Sequence, residues 1–258
     1  MPPILSPDDV ADAKAKVITA VQQKGGSGKS TIIVNLAAVS GQNNPPAQPD
    51  DPCPVVAAGI DRQGSLEDWS ARVPENRLPF DYVVTKGRLG EIPDLVKDPD
   101  VRRVFIDTPG FMETDPDAPH DADPLGTGPA AQAMEEVLEH TDLALVPITS
   151  EWLTHRPAEF TIERVLKPRG VRFLVVINMW DSGNDRTLVD GVPAELNKLR
   201  KWCTDRGYRY APQAIRRYKI HSKAPEDGLT VIQYPESGTA LRAREDFYKL
   251  ALTVEQAI

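Results

Sequence analysis

A glycine-rich segment with two lysines is the part of the sequence best suited to chemistry. It reads Lys24-Gly25-Gly26-Ser27-Gly28-Lys29-Ser30-Thr31, after a β-branched segment and before a helical pattern. Glycines let consecutive backbone N–H groups turn toward a phosphate, and the following helix N-terminus adds partial positive charge. Lys29 is placed to reach the terminal phosphates, and the Ser30 hydroxyl to ligate Mg²⁺. Residues 24–31 are therefore predicted to bind a nucleoside triphosphate with Mg²⁺.

Two aspartates at strand ends are candidates for the same site. Asp61 follows the apolar segment Val55–Ile60, and Asp107 ends the segment Val104–Asp107. An aspartate at either position could simply cap a helix or form a turn. Beside a phosphate-binding loop, Asp107 is expected to hold Mg²⁺ through water, and Asp61 to orient the attacking water.

The loop departs from the ordinary pattern, because Gln23 stands where glycine is usual and Lys24 adds a second lysine. In this form it resembles the ParA/MinD family of dimeric ATPases. Residues 60–65, Ile-Asp-Arg-Gln-Gly-Ser, are similar to the family's Asp-Pro-Gln-Gly switch, and residues 105–110, Phe-Ile-Asp-Thr-Pro-Gly, to its Asp-Thr-Pro segment. The resemblance implies that Lys24 reaches the partner's nucleotide across a two-fold homodimer formed with ATP.

Two departures from the family pattern lie at the switch: Gly59 where an acid is usual, and Arg62 in place of proline. We expect them to affect turnover rather than nucleotide binding.

The segment Asn178-Met179-Trp180-Asp181 partly imitates the Asn-Lys-x-Asp guanine motif, which keeps a GTPase open as an alternative. The missing lysine and the presence of Lys24 favour ATP. Asn178 is a candidate base contact, and Asp181 is either a base contact or a helix cap.

Apolar segments alternate with helical patterns along the chain. Strands are predicted at 17–21, 55–60, 82–85, 104–107, 143–148 and 171–178, and helices at 29–39, 130–140, 157–166, 192–205 and 238–256. Such alternation predicts an α/β fold: a single doubly wound domain over residues 1–258, with a mainly parallel sheet and helices on both faces. Residues 1–15 are expected to be flexible, and 40–54 and 110–129 to be loops, the second either a surface connection or a nucleotide-sensitive lid.

Charge is distributed unevenly along the sequence. The net charge is −8, yet residues 195–223 carry +7, which leaves −15 for the remainder. The densest part contains Arg216, Arg217 and Lys219, which are predicted to contact DNA phosphates. The alternatives are a solvated helix face, or DNA contacts from the predicted helix that contains Lys198, Arg200 and Lys201.

The resemblance implies a DNA-partition ATPase. Its ATP-bound dimer would bind DNA without sequence preference, and a ParB-like centromere-binding partner would stimulate hydrolysis. An orphan cargo-positioning ATPase of this family and a metabolic P-loop ligase are the alternatives.

Neither a membrane nor an oxidising environment is expected. The C-terminal helix lacks the basic polar face of a membrane-bound amphipathic helix. Only two cysteines, Cys53 and Cys203, are present, without histidines at metal-ligand spacing. A cytoplasmic, nucleoid-associated protein is therefore expected.

Overall fold

Six parallel strands form the central sheet. The computed structural model describes residues 14–48, 51–60, 69–73, 78–111 and 122–258. The strands are β1 (Lys16–Ala20), β2 (Val55–Gly59), β3 (Asp81–Val84), β4 (Arg103–Asp107), β5 (Leu143–Ile148) and β6 (Phe173–Ile177). Their spatial order is β3-β2-β4-β1-β5-β6. Most of the strand residues are buried, as expected for a parallel sheet with both faces covered.

Helices cover both faces of this sheet. They are α1 (Lys29–Asn43), α2 (Glu91–Lys97), α3 (Pro129–His140), α4 (His155–Phe160), α5 (Ala194–Asp205), α6 (Ile220–Glu226) and α7 (Gly238–Glu255). One apolar core joins the sheet to α1, α6 and α7, and a second joins it to α2, α3, α4 and α5. The predicted doubly wound α/β fold is confirmed.

The register of the sheet brings three strand ends together. Asp107 at the end of β4 pairs with Ala20 of β1 on one side and with Gly59 of β2 on the other. The segments that follow these strands therefore start at the same edge, where ligands bind in open α/β sheets.

The first predicted loop was placed too early, because α1 continues to Asn43 instead of ending at Val39. Gly41 lies within this extension, and the Pro79 carbonyl packs directly onto it. An added Cβ at Gly41 would lie 1.7 Å from that oxygen. Gly41 is thus a point of close approach inside the helix.

Several short elements were not predicted: the helices α2 and α6, and a hairpin formed by β7 (Leu188–Val189) and β8 (Val192–Pro193). In addition, α4 is preceded by a 3-10 turn at Trp152–Thr154 and continues as a π-helical turn at Thr161–Leu166. These segments are too short to produce a clear hydrophobic period.

The helical spacing of Leu241, Phe247, Leu250 and Val254 predicts a core-facing stripe on the last helix, and this prediction is wrong at Leu241. Phe247, Leu250 and Val254 are buried, but Leu241 is 50% exposed. Ala240 and Ala243 occupy the core-facing positions of the first turns, which turns Leu241 outward.

Of the segment expected to be flexible, residues 1–13 lie outside the described part of the chain, and Ala15 is buried. Most of the predicted lid, residues 112–121, also lies outside it. Among the described residues, no helix combines the length and apolar character needed to cross a membrane.

Candidate functional site

The glycine-rich loop connects β1 to α1 and requires two of its glycines. Gly26 and Gly28 have φ angles of 74° and 88°, in the left-handed region that favours glycine. Gly28 also caps the N-terminus of α1 and packs against Asn178, so that an added Cβ would lie 2.1 Å from Asn178 Nδ2. The loop therefore has the backbone that a phosphate cradle needs.

Lys29 lies in the first turn of α1, and its side chain is directed back over the loop. Its ammonium group donates to the carbonyl oxygens of Gln22, at 3.2 Å, and Lys24, at 3.4 Å. These contacts hold a buried cation beside the backbone that would surround a phosphate.

Ser30 and Asp107 bring two side-chain oxygens together at the same end of the loop. Ser30 Oγ donates to Asp107 Oδ2 over 2.7 Å. The neighbouring Thr108 hydroxyl donates to the Ala20 carbonyl over 2.7 Å, which fixes the end of β4 against β1. A hydroxyl and a carboxylate suit Mg²⁺, which takes few protein ligands and completes its shell with water and phosphate. Ser30 and Asp107 would hold the ion, which would neutralise phosphate charge.

Contacts with distant parts of the chain fix the loop from three sides, and no motif predicts them. On one side, Gln22 Nε2 donates to the Pro147 carbonyl over 3.0 Å. On a second, the Gln23 backbone N–H donates to the Thr161 hydroxyl, which lies at the start of the π-helical turn. On the third, Gly110 approaches so closely that an added Cβ would lie 2.9 Å from the Gln23 carbonyl.

Asn178, the predicted base contact, supports the loop. Its side-chain amide is buried and donates to the Ser27 carbonyl over 2.8 Å. Asp181 caps its own turn: Oδ1 accepts from the Gly183 backbone N–H, and Oδ2 accepts from Asn184 Nδ2 over 2.7 Å. The two residues that imitate the guanine motif are thus engaged within the protein.

Lys24 and Asp61 are the two predicted catalytic residues besides Lys29, and only Lys24 lies among the described residues. Lys24 is partly exposed, and its Nζ lies 3.8 Å from Glu151 Oε2. Asp61 lies outside the described residues. Its neighbour Ile60 donates a backbone hydrogen bond to the Asp107 carbonyl over 3.2 Å, which holds Ile60 beside the end of β4.

The three predicted DNA contacts have different surroundings. Arg216 donates through Nη2 to Asp246 Oδ1 over 2.6 Å and through Nε to both Asp246 oxygens over 3.0 Å. Hydrogen bonding to Asp246 raises the pKa of Arg216 above its already high ordinary value. The Arg216 guanidinium is thus engaged within the protein by α7, and its contact with DNA phosphates stays a prediction. Arg217 and Lys219 are exposed and have no ion-pair partner among the described residues.

A cleft of about 420 Å³ begins at Lys24, Gly25 and Gly26 and follows the carboxyl ends of β5 and β6. Its remaining lining residues are Thr149, Ser150, Glu151, Thr154, Met179, Asp181, Asn184, Glu195 and Arg217. This volume falls within the range of small-molecule and cofactor sites.

Comparison with known proteins finds one relative by sequence and several solved structures of similar fold. No family model matches the chain. It is 26% identical over 237 residues to maintenance of carboxysome distribution protein A of Gloeobacter kilaueensis, covering 92% of each chain.

Solved structures share the fold. One is a putative plasmid partition protein of Borrelia burgdorferi bound to AMPPNP, with 13% identity, a TM-score of 0.58 and coverage of 94% of this chain and 100% of that one. Another is the septum site-determining protein MinD of Pyrococcus horikoshii with Mg-ADP, with 17% identity, a TM-score of 0.62 and coverage of 93% and 96%.

The relative spans nearly the whole chain, the solved structures share the overall fold, and the loop has the two-lysine form. The chain thus resembles ParA/MinD-type proteins over nearly its whole length, and its phosphate-binding loop has the deviant, two-lysine form.

Proposed function

We propose that this protein is an ATP-dependent positioning ATPase that dimerises with ATP and distributes a large protein assembly within the cell. Slow hydrolysis, stimulated by a protein bound to that cargo, would return the chain to its monomeric form. In this cycle Lys29, Ser30 and Asp107 bind the nucleotide with Mg²⁺, Asp61 orients the water, and Lys24 completes the partner's site.

Cargo positioning is favoured over plasmid partition by one observation. The relative that matches 92% of the chain at 26% identity is named for carboxysome distribution. The plasmid partition protein matches at only 13% identity, a level that supports the fold alone.

ATP is favoured over GTP by the arrangement after β6. A guanine-specific site would need a carboxylate aimed at the base, but both Asp181 oxygens accept hydrogen bonds from its own turn. The amide of Asn178 donates to the loop itself. If the Asn178 amide contacted guanine instead, the buried Ser27 carbonyl would lose its hydrogen-bond donor.

DNA partition is the second candidate, supported by exposed cations. Arg217, Lys219 and Lys223 are exposed in the most basic part of the chain and have no ion-pair partner among the residues described. They could contact DNA phosphates without sequence preference. In that case a ParB-like protein bound to a centromere would be the stimulating partner.

The nucleotide part of the proposal is tested by Lys29→Ala. The loop carbonyls and the phosphates would lose their shared cation, while the backbone cradle would remain. Calorimetry should detect ATP binding to the wild type and none to the variant. The exposed Lys97→Ala is a matched control that should bind normally. Equal ATP affinity of Lys29→Ala and wild type would contradict the assignment of the loop.

The cargo is tested by deleting the gene in its host. In the deletion strain, copies of a large protein assembly should cluster instead of being evenly spaced. Plasmids and chromosome should be retained normally. The wild-type gene should restore even spacing, and the Lys29→Ala gene should not. Loss of a replicon with normally spaced assemblies would favour DNA partition instead.

A further inference from the structure

A second cleft of about 420 Å³ lies at the amino ends of β5 and β6, on the opposite edge of the sheet from the phosphate loop. Its floor is apolar and consists of Leu143, Val171, Phe173 and Ala257. Phe173 is partly exposed there, and the other three are nearly buried. Across strands of five and six residues, the two strand ends are roughly 17–20 Å apart. This cleft is therefore separate from the proposed nucleotide site.

Three cations surround the apolar floor: Lys167, Arg172 and Arg209. Lys167 pairs with Glu163 at 2.7 Å. Arg172 uses one of its N–H groups to donate to the Ala257 carbonyl over 3.1 Å. Arg209 is exposed, and its side chain forms neither an ion pair nor a hydrogen bond within the part of the chain that the structure describes. None of the described residues that line the cleft is acidic, so its charge is positive.

The backbone at Arg209 is fixed beside β6. The Val175 N–H donates to the Arg209 carbonyl over 2.9 Å, and Tyr210 forms a parallel bridge with Val175. On the other side of Arg209 in the chain, the buried Tyr208 ring packs edge-on against Phe173. A guanidinium on such a fixed backbone loses less conformational freedom when it binds an anion.

An apolar recess with a cationic rim suits a ligand that combines carboxylates with an apolar group. A peptide with acidic residues on both sides of one large apolar side chain has this chemistry. Duplex DNA fits less well, because its phosphates would engage the cations and leave the apolar floor uncovered. The cleft therefore favours an acidic protein segment over DNA.

We propose that this cleft is a docking site for an acidic segment of a partner protein. One large apolar side chain of the segment lies on the floor beside Phe173, and its carboxylates pair with Arg172 and Arg209. The inference does not depend on the nucleotide site, because the two clefts lie at opposite ends of the same strands. The segment should therefore bind the chain without ATP.

Three fluorescein-labelled peptides test the chemistry of the cleft: Glu-Glu-Phe-Glu-Glu, Glu-Glu-Gly-Glu-Glu and Lys-Lys-Phe-Lys-Lys. Each is titrated against the full chain without nucleotide, and binding is followed by fluorescence anisotropy. The first peptide should bind with a Kd on the order of 0.1 mM. The second lacks the apolar side chain and the third has the wrong charge, so both should bind at least about tenfold more weakly.

The location is tested by Arg209→Ala, with Arg102→Ala as the matched control. Arg102 is exposed at the same edge of the sheet but does not line the cleft. Loss of one charge-assisted contact should weaken the binding of Glu-Glu-Phe-Glu-Glu about tenfold in Arg209→Ala, and Arg102→Ala should bind like wild type. Thermal unfolding of Arg209→Ala should match wild type, which excludes a folding defect.

Three results would each overturn the inference. The first is no saturable binding of Glu-Glu-Phe-Glu-Glu up to about 2 mM. The second is equal binding of this peptide by Arg209→Ala and wild type, or equal binding of the phenylalanine and glycine peptides by wild type. The third is binding of an unrelated DNA duplex that Arg209→Ala weakens and the peptide does not displace, which would assign the cleft to DNA. None of these results would affect the ATP binding on which the proposed function depends.

Discussion

Ser30 Oγ donates a hydrogen bond of 2.7 Å to Asp107 Oδ2, joining the first turn of α1 to the end of β4. This contact places the two expected Mg²⁺ ligands together, although they are 77 residues apart in the chain. It depends on the parallel pairing of β1 and β4, in which Ala20 lies opposite Asp107.

Asp107→Asn should remove the dependence of ATP affinity on Mg²⁺. The amide can still contact Ser30, but it lacks the negative charge that attracts the ion. ATP affinity of the wild type should rise with Mg²⁺, whereas the variant should show the same affinity with Mg²⁺ and with a chelator. Asp100→Asn, at an exposed position, is the control. A full Mg²⁺ effect in Asp107→Asn would rule out this carboxylate as a ligand.

Lys24→Ala should weaken ATP-dependent dimerisation more than it weakens ATP binding. A two-fold interface repeats each contact, so one substitution removes two links per dimer. Glu151→Gln is the matched variant, since it removes the charge 3.8 Å from Lys24 and leaves the lysine in place. Sedimentation with a non-hydrolysable ATP analogue should show monomers for Lys24→Ala and dimers for Glu151→Gln. A normal Lys24→Ala dimer would contradict the role inferred from the family.

Arg216→Ala should destabilise the fold. The Asp246 carboxylate is nearly buried and would lose its cation, a change that costs about 3–5 kcal/mol in other proteins. Chemical denaturation should show the loss directly, and Arg217→Ala should unfold like wild type. Equal stability of the two variants would mean that the ion pair contributes little. A charge reversal at Arg216 would thus test folding before it tested DNA binding.

His221 should make stability fall in mild acid. Burial lowers the pKa of His221 from its ordinary value of 6.5, against the opposing effects of the Arg216 carbonyl and Asp246. The unfolded chain therefore binds a proton at higher pH than the folded chain, and stability is lost as the pH falls below 6.5. The free energy of unfolding should decrease less between about pH 7.5 and pH 5.5 in His221→Gln than in wild type.

His155 is the comparison for this experiment, because burial lowers its pKa as well. His155→Gln should remove a separate part of the acid sensitivity, and the double variant should show the smallest decrease. An unchanged pH dependence in His221→Gln would show that the pKa of this histidine is the same in the folded and the unfolded chain.

The fold and the phosphate loop could be predicted because their signals are local. Residues 24–31 carry their pattern in eight consecutive positions, and the strands are continuous apolar segments. The contacts that position the loop could not be predicted, because each joins distant parts of the chain. Asn178 and Ser27 are 151 residues apart, and Gln23 and Thr161 are 138 apart.

The basic segment, residues 195–223, shows the same limit, because the partners of its charges lie far away in the sequence. Composition identified Arg216 and Arg217 as equivalent surface cations. Their different roles depend on Asp246, thirty residues further on, and on the extended backbone beside Trp180. A sequence gives the number of charges in a segment, but their partners depend on tertiary structure.

The π-helical turn at Thr161–Leu166, which continues α4, makes this part of the chain sensitive to deletion of a residue. The Lys167 N–H bonds to the Ile162 carbonyl, five residues back, so the turn accommodates one residue more than an α-helix would. Deleting one residue there would restore regular α-helical hydrogen bonding and remove the widened backbone that begins at Thr161. The Thr161 hydroxyl would leave the Gln23 N–H, and the phosphate loop would lose that support. A shortened chain of this kind should fold as well as the parent and bind ATP less tightly.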